Sequence, residues 1–267
     1  MYDLTQLNAA LAGTPFAGHL HHFATVASSN AIALEAANAG APTGSVWFAD
    51  EQTAGRGRGG HTWLSTADDG LYVSVLLRPQ VTLADALWLS LATGLAVAGA
   101  IAEVTHLDAD VRWPNDILLH GKKCGGILVE TAATANDVAQ LKHAVIGIGI
   151  NVNHESFPAE IAPLATSLRL ETGVAWPRQK LLIALLTCLH AEMQQLALEQ
   201  TGAHVPETLL ERFTRASTWV SGKRVHVEEA GGYTGVTEGL DDRGFLRVRA
   251  ADGTLRTVLT GGVREEK

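Results

Sequence analysis

The chain has 267 residues, is 46% apolar and 18% charged, and carries a formal net charge of −8. That composition is globular and long enough for one large domain plus a small one. An acidic balance without a long basic run argues against broad electrostatic binding to nucleic acid, which needs many phosphate contacts. The two cysteines, Cys124 and Cys188, lie far apart, so a disulfide framework is not expected and a reducing cytoplasm fits. The N-terminal MYDLTQLNAALAG has neither the basic start nor the continuous apolar centre of a signal peptide.

In chain order, Ser28, Ser29 and Asn30 precede an alanine-rich run to Ala39 and then Gly40 and Pro42, the start and stop signals of a helix. Ser45 to Asp50 reads as a strand, followed by the loop GRGRGGHTWLS, Gly55 to Ser65. Leu71 to Leu77 is strand-like and closes at Pro79; its exposed face could pair across two subunits or simply sit within one sheet. Leu83 to Val104 reads as a long helix. Its apolar stretch from Leu87 is rich in Ala and Gly and broken by Ser90 and Thr93, which fits a core helix better than a membrane span. Val111 to Trp113 is a short strand stopped by Pro114. Asp116 to His120 and Gly126 to Thr131 read as a hairpin around His120 and Gly121. Ala144 to Val152 is a buried strand, Leu181 to Glu199 a helix, and Pro206 to Arg215 a shorter one. After Trp219 the texture changes. Lys223–Glu229, Tyr233–Leu240, Phe245–Ala250 and Leu255–Leu259 are short strands between glycine-rich turns, which predicts a small β-barrel. The expectation is an α+β fold: a mixed-sheet domain over 1–217 and a small all-β domain over 218–267.

Four motifs carry chemistry. Gly55, Gly57 and Gly60 match G-x-G-x-x-G, but the loop runs toward another strand rather than into a helix, so the dinucleotide reading fails on context. Glycines beside Arg56 and Arg58 can instead bring backbone N–H groups and guanidinium charge to an anion, or form a flexible solvated loop. In RWPND, Arg112 to Asp116, the Asn–Asp pair is either a plain turn or, through Asp116, a base or metal ligand near a phosphate. In GKKCGGILVE, Gly121 to Glu130, the Gly–Gly pair permits close approach, and one of Lys122 and Lys123 can neutralise developing phosphate charge; side chains alternate along a strand, so only one points inward. In GIGIN, Gly147 to Asn151, the amide either reads a ligand or caps a turn. His19, His21 and His22 form a weak metal-like cluster without nearby Cys or carboxylate ligands. Cys124 reads as a small buried residue.

Taken in order, SSN (28–30), EQTAGRGRGGHTW (51–63), LYVSVLLRP, RWPND, GKKCGGILVE and IGIGINVN (146–153) resemble the biotin protein ligase family. The tail ending GGVREEK is similar to that family's C-terminal barrel. The resemblance implies a catalytic domain like those of class II aminoacyl-tRNA synthetases and biotin–lipoate ligases. It also implies two half-reactions: biotin and ATP, with Mg²⁺, give biotinyl-5′-AMP and pyrophosphate, and the acyl group then passes to one lysine of a carboxyl-carrier domain of acetyl-CoA or acyl-CoA carboxylase. ATP, Mg²⁺ and biotin are thus co-substrates and metal, with no tightly bound organic cofactor. Residue by residue, it places Ser28, Ser29 and Gln52 at the ureido end of biotin. Gly55, Arg56 and Arg58 form the loop that closes over the acyl-phosphate, and Arg58 retains the intermediate. Trp63 builds the nucleotide side, and Lys123 contacts the biotin carboxylate and the α-phosphate. Gly126 lies against biotin, Asn115 and Asp116 flank phosphate or Mg²⁺, and Asn151 contacts the nucleotide. Asp116 is also the candidate base for the acceptor lysine. The family's Asp-Ser-Thr-Asn segment is Ala27-Ser28-Ser29-Asn30 here, without the acid. Few residues precede the match, which resembles the short, monofunctional form without a DNA-binding region, as monomer or homodimer. A lipoate or octanoate ligase is the alternative; the paired arginines and RWPND favour biotin.

Overall fold

The computed structural model describes residues 2–134 and 140–266. In chain order the elements are α1 (Leu4–Ala10), β1 (Leu20–Val26), α2 (Ser29–Asn38), β2 (Val46–Gln52), β3 (Gly70–Leu77), α3 (Ala86–Thr105), β4 (Asp110–Arg112), β5 (Asp116–Leu119), β6 (Lys122–Ala133) and β7 (Leu141–Asn151). There follow α4 (Leu168–Thr172), α5 (Arg178–Gln200), α6 (Leu209–Ala216), β8 (Ser221–Val227), β9 (Tyr233–Leu240), β10 (Leu246–Ala250), β11 (Leu255–Val258) and β12 (Val263–Glu265).

The first seven strands form one mixed sheet in the order β1-β2-β3-β7-β6-β5-β4. Among the described residues, β1 and β2 are the only strands of this sheet paired in parallel, joined by α2, as a parallel pair requires a crossover. Side-chain alternation explains the layering. Trp47, Leu76 and Val145 pack with Ala33 and Ala37 of α2. Their strand neighbours Val46, Phe48, Val75, Leu77, Ala144 and Ile146 join the larger core on the opposite face. There α3 packs against β4, β5, β6, α5 and α6. Each fully buried Leu of α3, such as Leu89 and Leu91, contributes about 1.5–3 kcal/mol by leaving water. With both faces covered, β3 is buried at every residue and reads as a continuous apolar run. It pairs with β2 on one side and β7 on the other, so no free edge remains for pairing across two subunits.

Local chemistry sets the boundaries. Ser28 caps α2, and Thr208 with Glu211 forms a capping box on α6, each satisfying N–H groups the helix cannot. The β5–β6 turn has positive φ at both His120 (48°) and Gly121 (78°), as a two-residue hairpin demands. This tight turn starts β6 at Lys122 rather than at Gly126. Four elements were not anticipated, α1, β1, α4 and β12; β1 holds His21 and His22 of the histidine cluster, with His19 just before it. There His22 Nε2 lies 2.9 Å from Asp50 Oδ2 and His21 stacks on Trp47 at 5.3 Å.

The C-terminal strands form a five-stranded antiparallel sheet, β11-β10-β9-β8-β12. Among the described residues no ladder joins β11 to β12, so the observed unit is an open sheet where a barrel was predicted. Its inner side chains Val225, Val227, Leu246, Val248 and Val258 share the large core with α3 and β4. Trp113 ties the two sheets together, its indole donating to the Gly244 carbonyl at 2.9 Å.

Candidate active site

A cleft with an empty volume of about 460 Å³ opens beyond the N-terminus of α2. It lies on the face of the mixed sheet that α2 covers. Along β7 the residues on that face run Val145, Gly147, Gly149; facing them on β6 are Glu130, Leu128 and Gly126. Side chains therefore vanish where the cleft begins, and the sheet backbone becomes its floor. A methyl at Gly147 would sit 2.5 Å from Asn30 Oδ1, and one at Gly149 would sit 2.5 Å from the Trp63 indole. Gly126 is also covered by Trp63 and by the end of Lys123.

One end of the cleft is neutral and strongly hydrogen-bonding. The Ser29 N–H and hydroxyl donate to Gln52 Oε1 at 2.8 and 3.0 Å. Gln52 Nε2 donates to Ser65 Oγ at 3.0 Å. Ser29 Oγ lies 2.7 Å from Ser74 Oγ, which donates to Asn30 Oδ1 at 2.5 Å. Asn30 Nδ2 in turn donates to Glu130 at 2.8 Å, and Arg56 pairs with the same carboxylate at 3.1 Å. A chain of fixed dipoles thus runs from the first turn of α2 across three strands.

The other end is cationic. Lys123 Nζ is 2.5 Å from Asp116 Oδ1 and 5.5 Å from the centre of the Trp63 ring. Arg112 takes the other Asp116 oxygen at 2.5 Å. Burial is the largest influence on Asp116 and opposes its ionisation, but the charges and hydrogen bonds of Lys123 and Arg112 together outweigh it and hold the carboxyl below its usual range. Arg58 lies against Gly261; burial lowers its pKa, partly offset by Asp116 and Glu229. The loop itself is a narrow hairpin with an isolated bridge between Arg56 and Thr62 and a turn over Arg58–Gly60. No helix follows it, in keeping with the rejected dinucleotide reading.

Of the residues singled out in the sequence, Ser28, Ser29, Gln52, Arg56, Arg58, Trp63, Asn115, Lys123 and Gly126 line the cleft together. Gly55 stands just behind, and a methyl there would meet the Trp63 carbonyl and Ser65 Oγ. Asn115 faces the cleft while its amide donates to the Ile127 carbonyl at 2.9 Å. Asp116 reaches the cleft through Lys123. Both of its oxygens are held by cations, so its donor set does not fit a metal ligand as it stands. Asn151 lies at the end of the floor, with its amide donating to the Thr166 carbonyl at 3.0 Å and to the Lys123 carbonyl at 3.5 Å. Cys124 is buried beside it, and burial pushes its thiol well up. Asn30, Ser65, Ser74, Glu130, Gly147 and Gly149 were not singled out individually. The two glycines carry a signal: at i and i+2 in a strand they empty one face.

Residues 23–151 match the biotin/lipoate A/B protein ligase family, and residues 220–263 match the biotin protein ligase C-terminal domain. The biotin--[acetyl-CoA-carboxylase] ligase of Mycobacterium tuberculosis is 38% identical, over 84% of this chain and 80% of the relative. The chain belongs to the biotin protein ligase family. A second member, the bifunctional ligase/repressor BirA of Bacillus subtilis, is 34% identical over 88% of this chain and 70% of its own length. The biotin protein ligase of Aquifex aeolicus, solved in complex with biotin and ATP, superposes with a TM-score of 0.77 at 29% identity, covering 93% of this chain and 100% of that one. The Leishmania major enzyme in complex with biotinyl-5-AMP superposes with a TM-score of 0.63 at 27% identity, covering 91% and 99%. The biotin protein ligase fold thus accounts for both the mixed sheet and the C-terminal strands.

Proposed function

We propose that this protein is an ATP-dependent biotin protein ligase that makes biotinyl-5′-AMP and passes the acyl group to a lysine of a biotin carboxyl-carrier domain. The observation that carries this reading is the polarity of the cleft: a neutral hydrogen-bonding end and a cationic end, joined by a glycine floor. Biotin has the matching shape, with a ureido head, an apolar body and a carboxylate tail. Ser28, Ser29 and Gln52 take the head, where the few strong hydrogen bonds of a buried ligand fix its orientation. Gly126 and Gly149 let the Trp63 indole lie directly on the sheet backbone, and the bicyclic body packs beside that indole.

In the first half-reaction a carboxylate oxygen attacks the α-phosphorus of ATP, and pyrophosphate leaves with the bonding pair. Two anions must approach each other, and the Lys123 ammonium offsets their repulsion. Arg56 and Arg58 close over the mixed anhydride and exclude water that would hydrolyse it. In the second half-reaction the acceptor amine attacks the acyl carbon, loses a proton, and AMP departs. Asp116 acts chiefly by aiming Lys123; it serves as base for the acceptor only after releasing a cation, since a carboxylate held below its usual range is a weak base. Trp63, Asn115 and Asn151 border the nucleotide side. Mg²⁺ would accompany ATP and offset its phosphate charge; Asp116, with both oxygens held by cations, does not fit as its ligand. The division at 1–217 and 218–267, closure of the C-terminal sheet into a barrel and kinship with class II synthetase domains belong to this reading. The separate C-terminal match over 220–263 supports the first. Two free cysteines suit a reducing cytoplasm.

The test is intact-mass spectrometry of a carrier domain incubated with the enzyme, ATP and Mg²⁺, with biotin and lipoate offered in parallel. One ATP-dependent biotinyl addition is expected. Lipoyl addition instead would move the chain to the sister activity, and no addition with biotin still bound would leave a silent binding protein.

A further inference from the structure

The β2–β3 ladder begins at Val46 and Val75 and stops at Ala49 and Tyr72. Beyond it β2 continues beside β1 alone as far as Gln52, and the chain then leaves the sheet to form the Gly/Arg loop. Just past the last pair, a single guanidinium closes the stem. Arg178, the first residue of α5, has a side chain only 8% exposed. Its Nη2 lies 2.9 Å from Asp50 Oδ1 on the outgoing strand and also contacts Asp68 Oδ1 on the returning one. Its Nη1 donates to the Gly70 carbonyl at 3.4 Å, and its charge lies over the Tyr2 ring at 5.1 Å. His22 occupies the second oxygen of Asp50 at 2.9 Å. Asp68 has a φ of 63°, a costly conformation for a residue with a side chain, and its N–H donates to the Asp50 carbonyl at 3.2 Å.

We infer that Arg178 is a positioning residue: it pins both stems of the loop to α5, so that the loop moves as a lid about a fixed base. This rests on the ligase reading for its consequence, though not for its geometry. Two residues above the pin, Gln52 N donates to the Ser65 carbonyl at 3.3 Å and Gln52 Nε2 to Ser65 Oγ. The spacing of the stem therefore sets Gln52, which faces the head of the cleft, and the span from which Arg56, Arg58 and Trp63 hang. The planar fork of arginine can meet two carboxylates and a carbonyl at once, whereas lysine offers a point charge. A small shift in a residue remote from the chemistry is enough to misplace a lid.

The loop carries its own reporter, because trypsin cleaves after Arg56 and Arg58. In the unliganded enzyme, Arg178→Met is expected to speed nicking at these two bonds by about tenfold, and Arg178→Lys by less. Asp68→Asn removes one arm at a side chain that is 77% exposed, so it keeps the test alive if Arg178→Met fails to fold. Folded Asp68→Asn or Arg178→Met enzyme nicked at the wild-type rate would overturn the pin. With biotin and ATP, the same variants should release biotinyl-AMP into solution about tenfold faster per active site and raise KM for biotin more than they lower kcat. Faster nicking with unchanged release would overturn the link to retention. A wild-type enzyme that makes no biotinyl-AMP, with nicking still accelerated in the variants, would sink the ligase reading and leave the pin standing.

Discussion

Lys123 already has a partner before any substrate arrives, and that fixes what its loss should do. Its ammonium is set by Asp116, which Arg112 holds from the other side. Lys123→Ala should lower the rate of biotinyl-AMP formation by about 10²- to 10³-fold, the usual cost of one preorganised charge-stabilising donor. Its circular dichroism should stay close to wild type and its thermal midpoint should fall, because the buried Asp116 carboxylate loses one of its two cations and keeps Arg112; a variant inactive only because it is unfolded would contradict the role. Asp116 supplies a pH dependence. Its folded carboxyl titrates below its ordinary value of about 4, so the stabilisation from its ion pairs is complete above that value and fades as pH falls through the lower folded pKa. A melting-temperature profile should show a constant gap between wild type and Asp116→Asn from pH 8 to about 5 that narrows only below about 4. A gap that changes near neutrality would refute the assignment.

Among the elements, β7 shows both what a sequence reveals and what it hides. Its apolar run was legible because both faces of the sheet are covered at that point, and the same holds for β3. The emptiness of one face at Gly147 and Gly149 was visible as a spacing. What fills it was not, since Asn30 and Trp63 reach it only through the crossover of α2 and the fold-back of the loop. The partners Ser74 and Glu130 were hidden for the same reason: they are joined only through Asn30, which bonds both. The charged and glycine-rich parts of the cleft were easier, because few structural roles call for Arg, Lys and Gly in that order. Strand β1 was missed because it is a half-exposed edge with the mixed pattern LHHFATV; parallel pairing with β2 makes it a strand, not its composition. Helix α1, one capped stretch of seven residues, is too short for propensity to declare. Gly149→Ala tests the floor. Its methyl would displace the Trp63 indole, a change of the overpacking kind that costs about 1–3 kcal/mol. Biotin affinity should fall by about tenfold or more, with a shift in tryptophan emission; unchanged affinity would mean the ligand does not lie there.

At the scale of the whole molecule, one large apolar cluster runs from Tyr2 to Val263. The change of texture after Trp219 was real, since short antiparallel strands do begin there. The shared core was invisible because it depends on Trp113 and Gly244 meeting across the chain. The same long-range architecture has a consequence in time. The cleft floor requires β3 to find β7, pairing Leu77 with Ala144 and Gly70 with Asn151, and such non-local ladders assemble slowly. A ligand seated on that floor has nothing to hold until the last of these strands has docked. Biotin should therefore leave the refolding rate nearly unchanged and slow unfolding by about the factor 1 + [biotin]/Kd. Stopped-flow refolding and unfolding at several biotin concentrations would show it; a ligand that accelerates refolding instead would place the floor among the first parts of the protein to form.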